Sequence, residues 1–384
     1  MRGFDEDLLM IPGPTNVAES TLRAMSRQMI SHRGKEFGEI LTECTENLKK
    51  VFRTKNDLFI LSSSGTGAME AAITNILEPG DKILCPTYGK FSDRFKLIVE
   101  AFGGKPVELP VEWGDAPEPS LIEEALDKEN NIKAVTITQN ESSTGVRVPL
   151  EDISRIVKEH NALLIVDTIS SMGGDYIPVD DLKIDMCISG AQKCFSLPPG
   201  LAFISVSENA WEIINRTKRR AFYFDLPAYL KSYKKDPPET PYTPSLTLFY
   251  ALQNSLRLLL KEGLDNVITR HQKAAQAVRD AIQALELELF PKKEKLYSVT
   301  VTAVRIPNGV QDKELRGTMQ KEYGVLISGG QDRLKGKIFR IGHMGQVTEK
   351  EILITIYALE KALKKQGQKI ELGSGVEAAI KAFA

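Results

Sequence analysis

Cysteine is scarce in this 384-residue chain. Cys44, Cys85, Cys187 and Cys194 form no CxxC pair, and the four histidines (His32, His160, His271, His343) are scattered. Neither a zinc ribbon nor a disulfide scaffold is supported by that spacing. An excess charge of either sign is also missing. Fifty basic residues face 51 acidic ones for a formal net charge of −1, which leaves no global field to hold nucleic acid or an anionic membrane. No window reaches the roughly 20 apolar residues of a membrane span. The opening MRGFDEDLLMIPGP carries three acids in its first seven residues and no apolar core, unlike a secretory leader. Internal repeats and low-complexity tracts are lacking too. These absences leave a soluble protein of a reducing compartment, and the expected localisation is cytoplasmic.

What is present is apolar residue in quantity, 42% of the chain, enough for a large core and for two or three domains at about 150 residues each. From about residue 57 to 206, β-rich runs alternate with helical patterns. The runs are 58–61, 82–85, 105–109, 134–138, 162–167, 185–189 and 201–206. Several are apolar on consecutive residues, as in strands buried on both faces. Met69, Ala72, Ile73, Ile76 and Leu77 form one helical stripe between them. Ser120 and Glu123 read as a capping box opening a second helix, and Leu150, Ile153, Ile156 and Val157 mark a third. This order predicts a mostly parallel α/β sheet with helices on both faces.

After about residue 220 the pattern changes. Residues 231–245 carry four prolines and predict an extended loop. A helix from 246 should stop at Gly263, and another should follow over 265–288. Strands are expected at 297–306, 325–328 and 337–341, with helices near 312–323 and 349–365. Together they make a second, smaller α/β unit.

Four places could carry chemistry. Ser62 to Gly67, between a strand and a helix, offers small residues, backbone N–H groups and a helix N-terminus that suit a phosphate. An ordinary tight turn would look similar. The segment is a poor dinucleotide fingerprint, because Ala68, Met69 and Glu70 stand where the third glycine belongs and Lys90 where an acid would be sought. Asp167 closes the apolar run ALLIVD, at the strand end where open α/β sheets bind ligands. A helix N-cap is the alternative. Lys193 lies among small residues just past the 185–189 run, at the same sheet edge. Partial burial there should lower its pKa and make it a reactive amine. Arg340, between Phe339 and Ile341, needs an anion: a substrate carboxylate, or a partner in a structural salt bridge. A phosphate cradle, a buried carboxylate, an activated lysine and a carboxylate-binding arginine together suit pyridoxal 5′-phosphate (PLP).

These residues stand in a longer series: Ile11-Pro12-Gly13-Pro14-Thr15-Asn16, Ser64-Gly65-Thr66-Gly67-Ala68-Met69-Glu70, Leu77-Glu78-Pro79-Gly80-Asp81, Asn140 to Gly145, Val166 to Gly174, Ser189 to Pro199 and Phe339 to Gly342. The series resembles the class V PLP-dependent aminotransferases of fold type I over nearly the whole chain, and within them the serine–pyruvate and alanine–glyoxylate branch. The resemblance implies an N-terminal segment (1–20), a large PLP-binding domain (21–255) and a small C-terminal domain (256–384). It implies that Lys193 binds the cofactor covalently and shuttles the proton, and that Asp167 pairs with the pyridine nitrogen. Ser64, Gly65, Thr66 and Gln192 would surround the phosphate, Ser142 would lie beside the ring oxygen, and Arg340 would grip the substrate carboxylate.

Phe91 stands where relatives place a tryptophan over the ring. In the proline-rich loop Thr243 fits the residue a neighbouring subunit contributes to the phosphate, while Tyr242 is displaced by two positions. His32-Arg33 and His343 lie close to the series without an assigned role. The implied activity moves the amino group of L-serine or L-alanine to pyruvate or glyoxylate by a ping-pong mechanism, in a homodimer with active sites at the subunit interface. Alternatives on the fold are a 2-aminoethylphosphonate transaminase and a cysteine desulfurase. The latter needs a nucleophilic thiolate in the C-terminal region, and no cysteine follows Cys194. From another class, a nucleotide-binding regulatory or scaffolding protein could use an α/β sheet without Lys193. Small amino acids and 2-oxo acids are the expected partners, with neither nucleic acid nor membrane.

Overall fold

A computed structural model describes residues 7–218 and 221–384. Residues 1–6, part of the opening segment weighed as a leader, lie outside the described residues. Seven strands form the main sheet: β1 (Asp57–Leu61), β2 (Lys82–Thr87), β3 (Lys105–Pro110), β4 (Ile132–Thr138), β5 (Leu163–Asp167), β6 (Met186–Gly190) and β7 (Ala202–Val206). Their order is β1-β7-β6-β5-β4-β2-β3. Only β7 runs against the rest, pairing antiparallel with both β1 and β6.

The consecutive apolar runs follow from burial on both faces. Along β1, Leu58 and Ile60 enter one apolar cluster while Phe59 and Leu61 enter another. Along β5, Leu164 and Val166 alternate in the same way with Leu163 and Ile165. The first face is covered by α1 (Lys35–Phe52), the second by α2 (Gly65–Thr74) and α3 (Lys90–Ala101). Further along the chain, α4 (Pro119–Lys128) and α5 (Glu151–Glu159) join the first face, α6 (Leu226–Tyr233) the second, and α7 (Leu246–Glu262) the first. Each large apolar side chain so enclosed contributes about 1.5–3 kcal/mol.

A smaller antiparallel sheet follows, ordered β8-β10-β9, from β8 (Val301–Arg305), β9 (Ser328–Gly329) and β10 (Ile338–Gly342). It packs with α8 (Leu264–Ala284) and α9 (Glu349–Lys365) in a third cluster that also holds Met10. The N-terminal segment reaches this unit early: Leu8–Leu9 pairs in parallel with Val325–Leu326.

Four local expectations are corrected. Helix α4 starts at Pro119, with Glu118 as an uncapped N-cap. Proline at the first helical position sets the start, so Ser120 already lies inside the helix; the real capping box is Thr348 with Glu351. Residues 231–233 belong to α6, and the extended loop begins only after them. Residues 297–300 are not strand. The Ser298 hydroxyl accepts the N–H groups of Thr300 and Val301 at 3.1 Å each, and the Thr300 hydroxyl donates to Ser170 O at 2.7 Å. Side-chain bonds of this kind compete with a ladder. Residues 325–328 split into two short pairings, one with Leu8–Leu9 and one with β10. The stop at Gly263 is as expected, with φ +90°.

Candidate active site

The site lies where β5 and β6 end and α2 begins. Asp167 is the last residue of β5, and the period of two along that strand puts it on the face that carries α2. It is 3% exposed, and its Oδ1 accepts the Ile169 N–H at 2.8 Å. Burial pushes the carboxyl up to about 7; the Ile169 N–H opposes this, the Glu141 charge adds to it, and Arg94 and Lys193 pull it down. Among the described residues no cationic N–H lies within ion-pair distance of this carboxylate. Lys193 stands three residues past β6, and its Nζ donates to Pro12 O. Burial pulls this amine down to about 8, with Arg340 and Arg94 adding to the effect and Cys194 and Asp167 opposing it. Gly13 makes room for the amine. A Cβ there would lie 2.6 Å from Lys193 Cδ and 2.9 Å from its Nζ.

Beside this pair is the start of α2. Ser64 holds the N-cap position with extended backbone but forms no side-chain cap. The Gly65 and Thr66 N–H groups therefore lack the usual side-chain cap, while the Gly67 N–H donates to Ser64 O at 2.9 Å. A Cβ on Gly65 would sit 2.5 Å from Ile169 Cδ1, and one on Gly190 would sit 3.6 Å from Gly65 Cα and 3.5 Å from Gln192 Oε1. These glycines let α2, the Ile169 turn and the end of β6 close on one concavity. Gln192 Oε1 is buried there without a hydrogen-bond partner. The orphaned Gln192 oxygen, an uncapped helix start and the clearance at Gly65 fit a phosphate with its attached ring.

Arg340, in the middle strand of the small sheet, reaches across to the large one. Its Nη1 donates to Ser142 O at 2.8 Å, its Nε and Nη2 donate to Gly329 O at 3.0 and 2.8 Å, and Nη1 also lies 3.4 Å from Gln331 Oε1. All these acceptors are neutral, so among the described residues the structural salt bridge does not form. Burial draws the guanidinium down to about 10.

Two residues escaped the sequence reading. Glu141 is fully buried and pins the start of α3, accepting the Phe91 and Ser92 N–H groups at 2.9 Å each and the Ser143 hydroxyl at 2.6 Å. Arg94 donates from Nη1 to Thr66 Oγ1 at 2.9 Å, with its guanidinium 4.8 Å from the Phe91 ring centre. The one sequence signal for this contact was the i, i+3 spacing of Phe91 and Arg94 on a helix.

The remaining candidates are more peripheral. Thr243 is exposed on the loop after α6, two residues before Ser245, whose N–H donates to Ser62 Oγ at 3.3 Å. Tyr242 stacks on Tyr223 with ring centres 5.1 Å apart and donates to Phe222 O at 2.8 Å. Arg33 pairs with Glu239 at 2.9 Å. His343 is buried, with Nε2 2.9 Å from Thr302 Oγ1, and burial lowers its pKa to about 3, so it is neutral.

Known proteins resemble this chain in sequence and in fold. The sequence profile of the class V aminotransferases matches residues 15–348. An uncharacterized aminotransferase of Methanocaldococcus jannaschii is 49% identical over 97% of this chain and 96% of its own length. A serine–glyoxylate aminotransferase of Hyphomicrobium methylovorum is 38% identical over 98% and 94%. The crystal structure of a ureidoglycine–glyoxylate aminotransferase from Bacillus subtilis superimposes with a TM-score of 0.94 at 32% identity, covering 100% of this chain and 99% of that one. Matched over most of its length, the chain belongs to the class V aminotransferases, a family of PLP-dependent transaminases.

Proposed function

We propose that this aminotransferase moves the amino group of a small amino acid, L-serine or L-alanine, to glyoxylate or pyruvate in two half-reactions of a ping-pong cycle. One observation carries the reading: an amine lowered to about 8 and a carboxyl raised to about 7, side by side at the uncapped start of α2. Perturbed pairs of this kind mark sites tuned for proton transfer near neutral pH. Relatives that use glyoxylate support the acceptor.

Bound PLP supplies an electron sink that stabilises negative charge at the amino acid's Cα. Lys193 would hold the cofactor and, as a free amine, would take the proton from Cα. Its lowered pKa leaves a useful fraction neutral at pH 7–8. Asp167 holds a proton on the ring nitrogen by accepting its N–H. The backbone N–H groups of Gly65 and Thr66, with Ser64 and Gln192, receive the phosphate, and Thr243 of a second subunit completes that shell in a homodimer. Phe91 would cover the ring, Ser142 would lie near its oxygen, and Arg340 would offer its two-pronged donor to the substrate's α-carboxylate. The third apolar cluster supports a separate small domain over 256–384, with α7 as the seam, since Leu256 and Leu259 still pack on the large sheet.

A desulfurase is disfavoured because burial pushes the Cys85, Cys187 and Cys194 thiols up to about 12, and Cys44 higher still. Among the described residues no helix is long and apolar enough to cross a membrane, in keeping with a cytoplasmic enzyme. The test is an absorption spectrum of the holoenzyme. Its visible band should bleach on adding L-serine or L-alanine and return with glyoxylate. Lys193→Ala should abolish this cycle, and turnover retained in that variant would overturn the assignment.

A further inference from the structure

The phosphate shell proposed above contains no charged side chain. Ser64, Gly65, Thr66, Gln192 and Thr243 are all neutral, and Lys193 is committed to the cofactor's aldehyde end. A phosphate monoester carries −1.5 to −2 charges at pH 7 (pKa₂ about 6), and a helix N-terminus offers only about +0.5. Arg94 is the cation beside this shell. Its guanidinium is fixed at two points, the Thr66 hydroxyl at 2.9 Å and the Phe91 ring face at 4.8 Å, and among the described residues it forms no ion pair. A partly buried guanidinium held by a hydroxyl and a ring alone lacks its anion. The contact to Thr66 holds the Arg94 fork beside the first turn of α2, where the helix start has no side-chain cap, and so points to an anion there. The positive charge of Arg94 already bears on both Lys193 and Asp167, so an anion that neutralises it also eases its pull on their protons.

We propose that Arg94, braced by Thr66 and Phe91, is the counter-cation of the cofactor's phosphate. This rests on the PLP reading above. Phe91 then serves twice, covering the ring and shelving the guanidinium.

The experiment measures binding of PLP and of pyridoxal, which lacks the phosphate, to cofactor-stripped protein by equilibrium dialysis. The wild type should prefer PLP strongly. Arg94→Gln should weaken PLP about 10- to 150-fold, the range of one charge-assisted hydrogen bond, and leave pyridoxal within threefold. Inorganic phosphate should compete with PLP on the wild type and lose that effect in the variant. Arg94→Lys, which keeps charge without the fork, should lose less and remain phosphate-selective; it carries the test should the glutamine variant not fold. Unchanged PLP affinity, or an equal loss of PLP and pyridoxal, overturns the proposal. So does an intact preference for PLP with a KM rise confined to dicarboxylic amino acids, which would move the guanidinium to a substrate side chain. A wild type that binds neither compound overturns the PLP reading itself.

Discussion

Replacing Asp167 with asparagine should stabilise the cofactor-free protein at alkaline pH while impairing the loaded enzyme. Asp167 is buried, with the Ile169 N–H at 2.8 Å as its hydrogen-bond donor, and its carboxyl rises from 3.8 to about 7. Below pH 3.8 both folded and unfolded chains hold the proton, so burial costs nothing extra there. As pH rises through the interval, the unfolded chain releases its proton and the folded one does not, so stability falls until about pH 7 and then levels off. The full gap amounts to roughly 4 kcal/mol, and at pH 5 only about 1.5 kcal/mol of it is felt. Asparagine keeps an oxygen for the Ile169 N–H and never ionises. Urea denaturation of stripped wild type and Asp167→Asn at pH 5 and pH 8 isolates most of the effect, because every titrating group not coupled to Asp167, as Lys193 is, cancels in the difference. The variant's advantage should grow by about 2–3 kcal/mol between those pH values. An advantage that stays constant, or a wild type that is more stable at pH 8, would refute the reasoning. With saturating PLP the order should reverse, since the asparagine variant cannot hold a ring proton.

Arg340→Gln should lower kcat/KM for the amino acid about 10- to 150-fold with PLP affinity nearly intact; parallel loss of both would mark Arg340 as a brace for Ser142 and Gly329. Gly65→Ala should weaken PLP binding and cost about 1–3 kcal/mol by overpacking against Ile169, measured by dialysis and thermal melting. Ile169→Ala in the same chain should restore part of both, and a double variant no better than the single would count against the clearance argument.

Legibility in the sequence tracked distance along the chain. Lys193 and Asp167 could be read because each closes or follows a strand whose apolar run declares burial. Gly263 could be read because a helix stop is local. Arg94 and Glu141 could not, since Arg94 acquires its meaning from Thr66, 28 residues away, and Glu141 from the α3 N–H groups about 50 residues away. The error at 297–306 has the same origin: the alternation of YSVTVTAVRI is genuine strand pattern, but Thr300 is taken by Ser170, 130 residues away. Ser120–Glu123 matched a motif that Pro119 had already pre-empted, while Thr348–Glu351 satisfied it with both bonds in place.

The strap at the N-terminus sets a timetable for the enzyme's birth. Leu8–Leu9 lies on Val325–Leu326, Gly342 donates to Met10 O, Lys193 donates to Pro12 O, and the Thr15 hydroxyl donates to Lys193 O at 3.0 Å. The segment leaves the ribosome first, yet its last docking partner is made more than 300 residues later, about 15–70 s at 5–20 residues per second. Until then the Leu8–Met10 half of the strap has no surface to bind, whereas the Pro12–Thr15 half can dock as soon as the Lys193 turn is made. The strap is thus tied to the large sheet well before it is tied to the small one, and a ribosome-bound chain carrying the complete main sheet is still an unfinished transaminase.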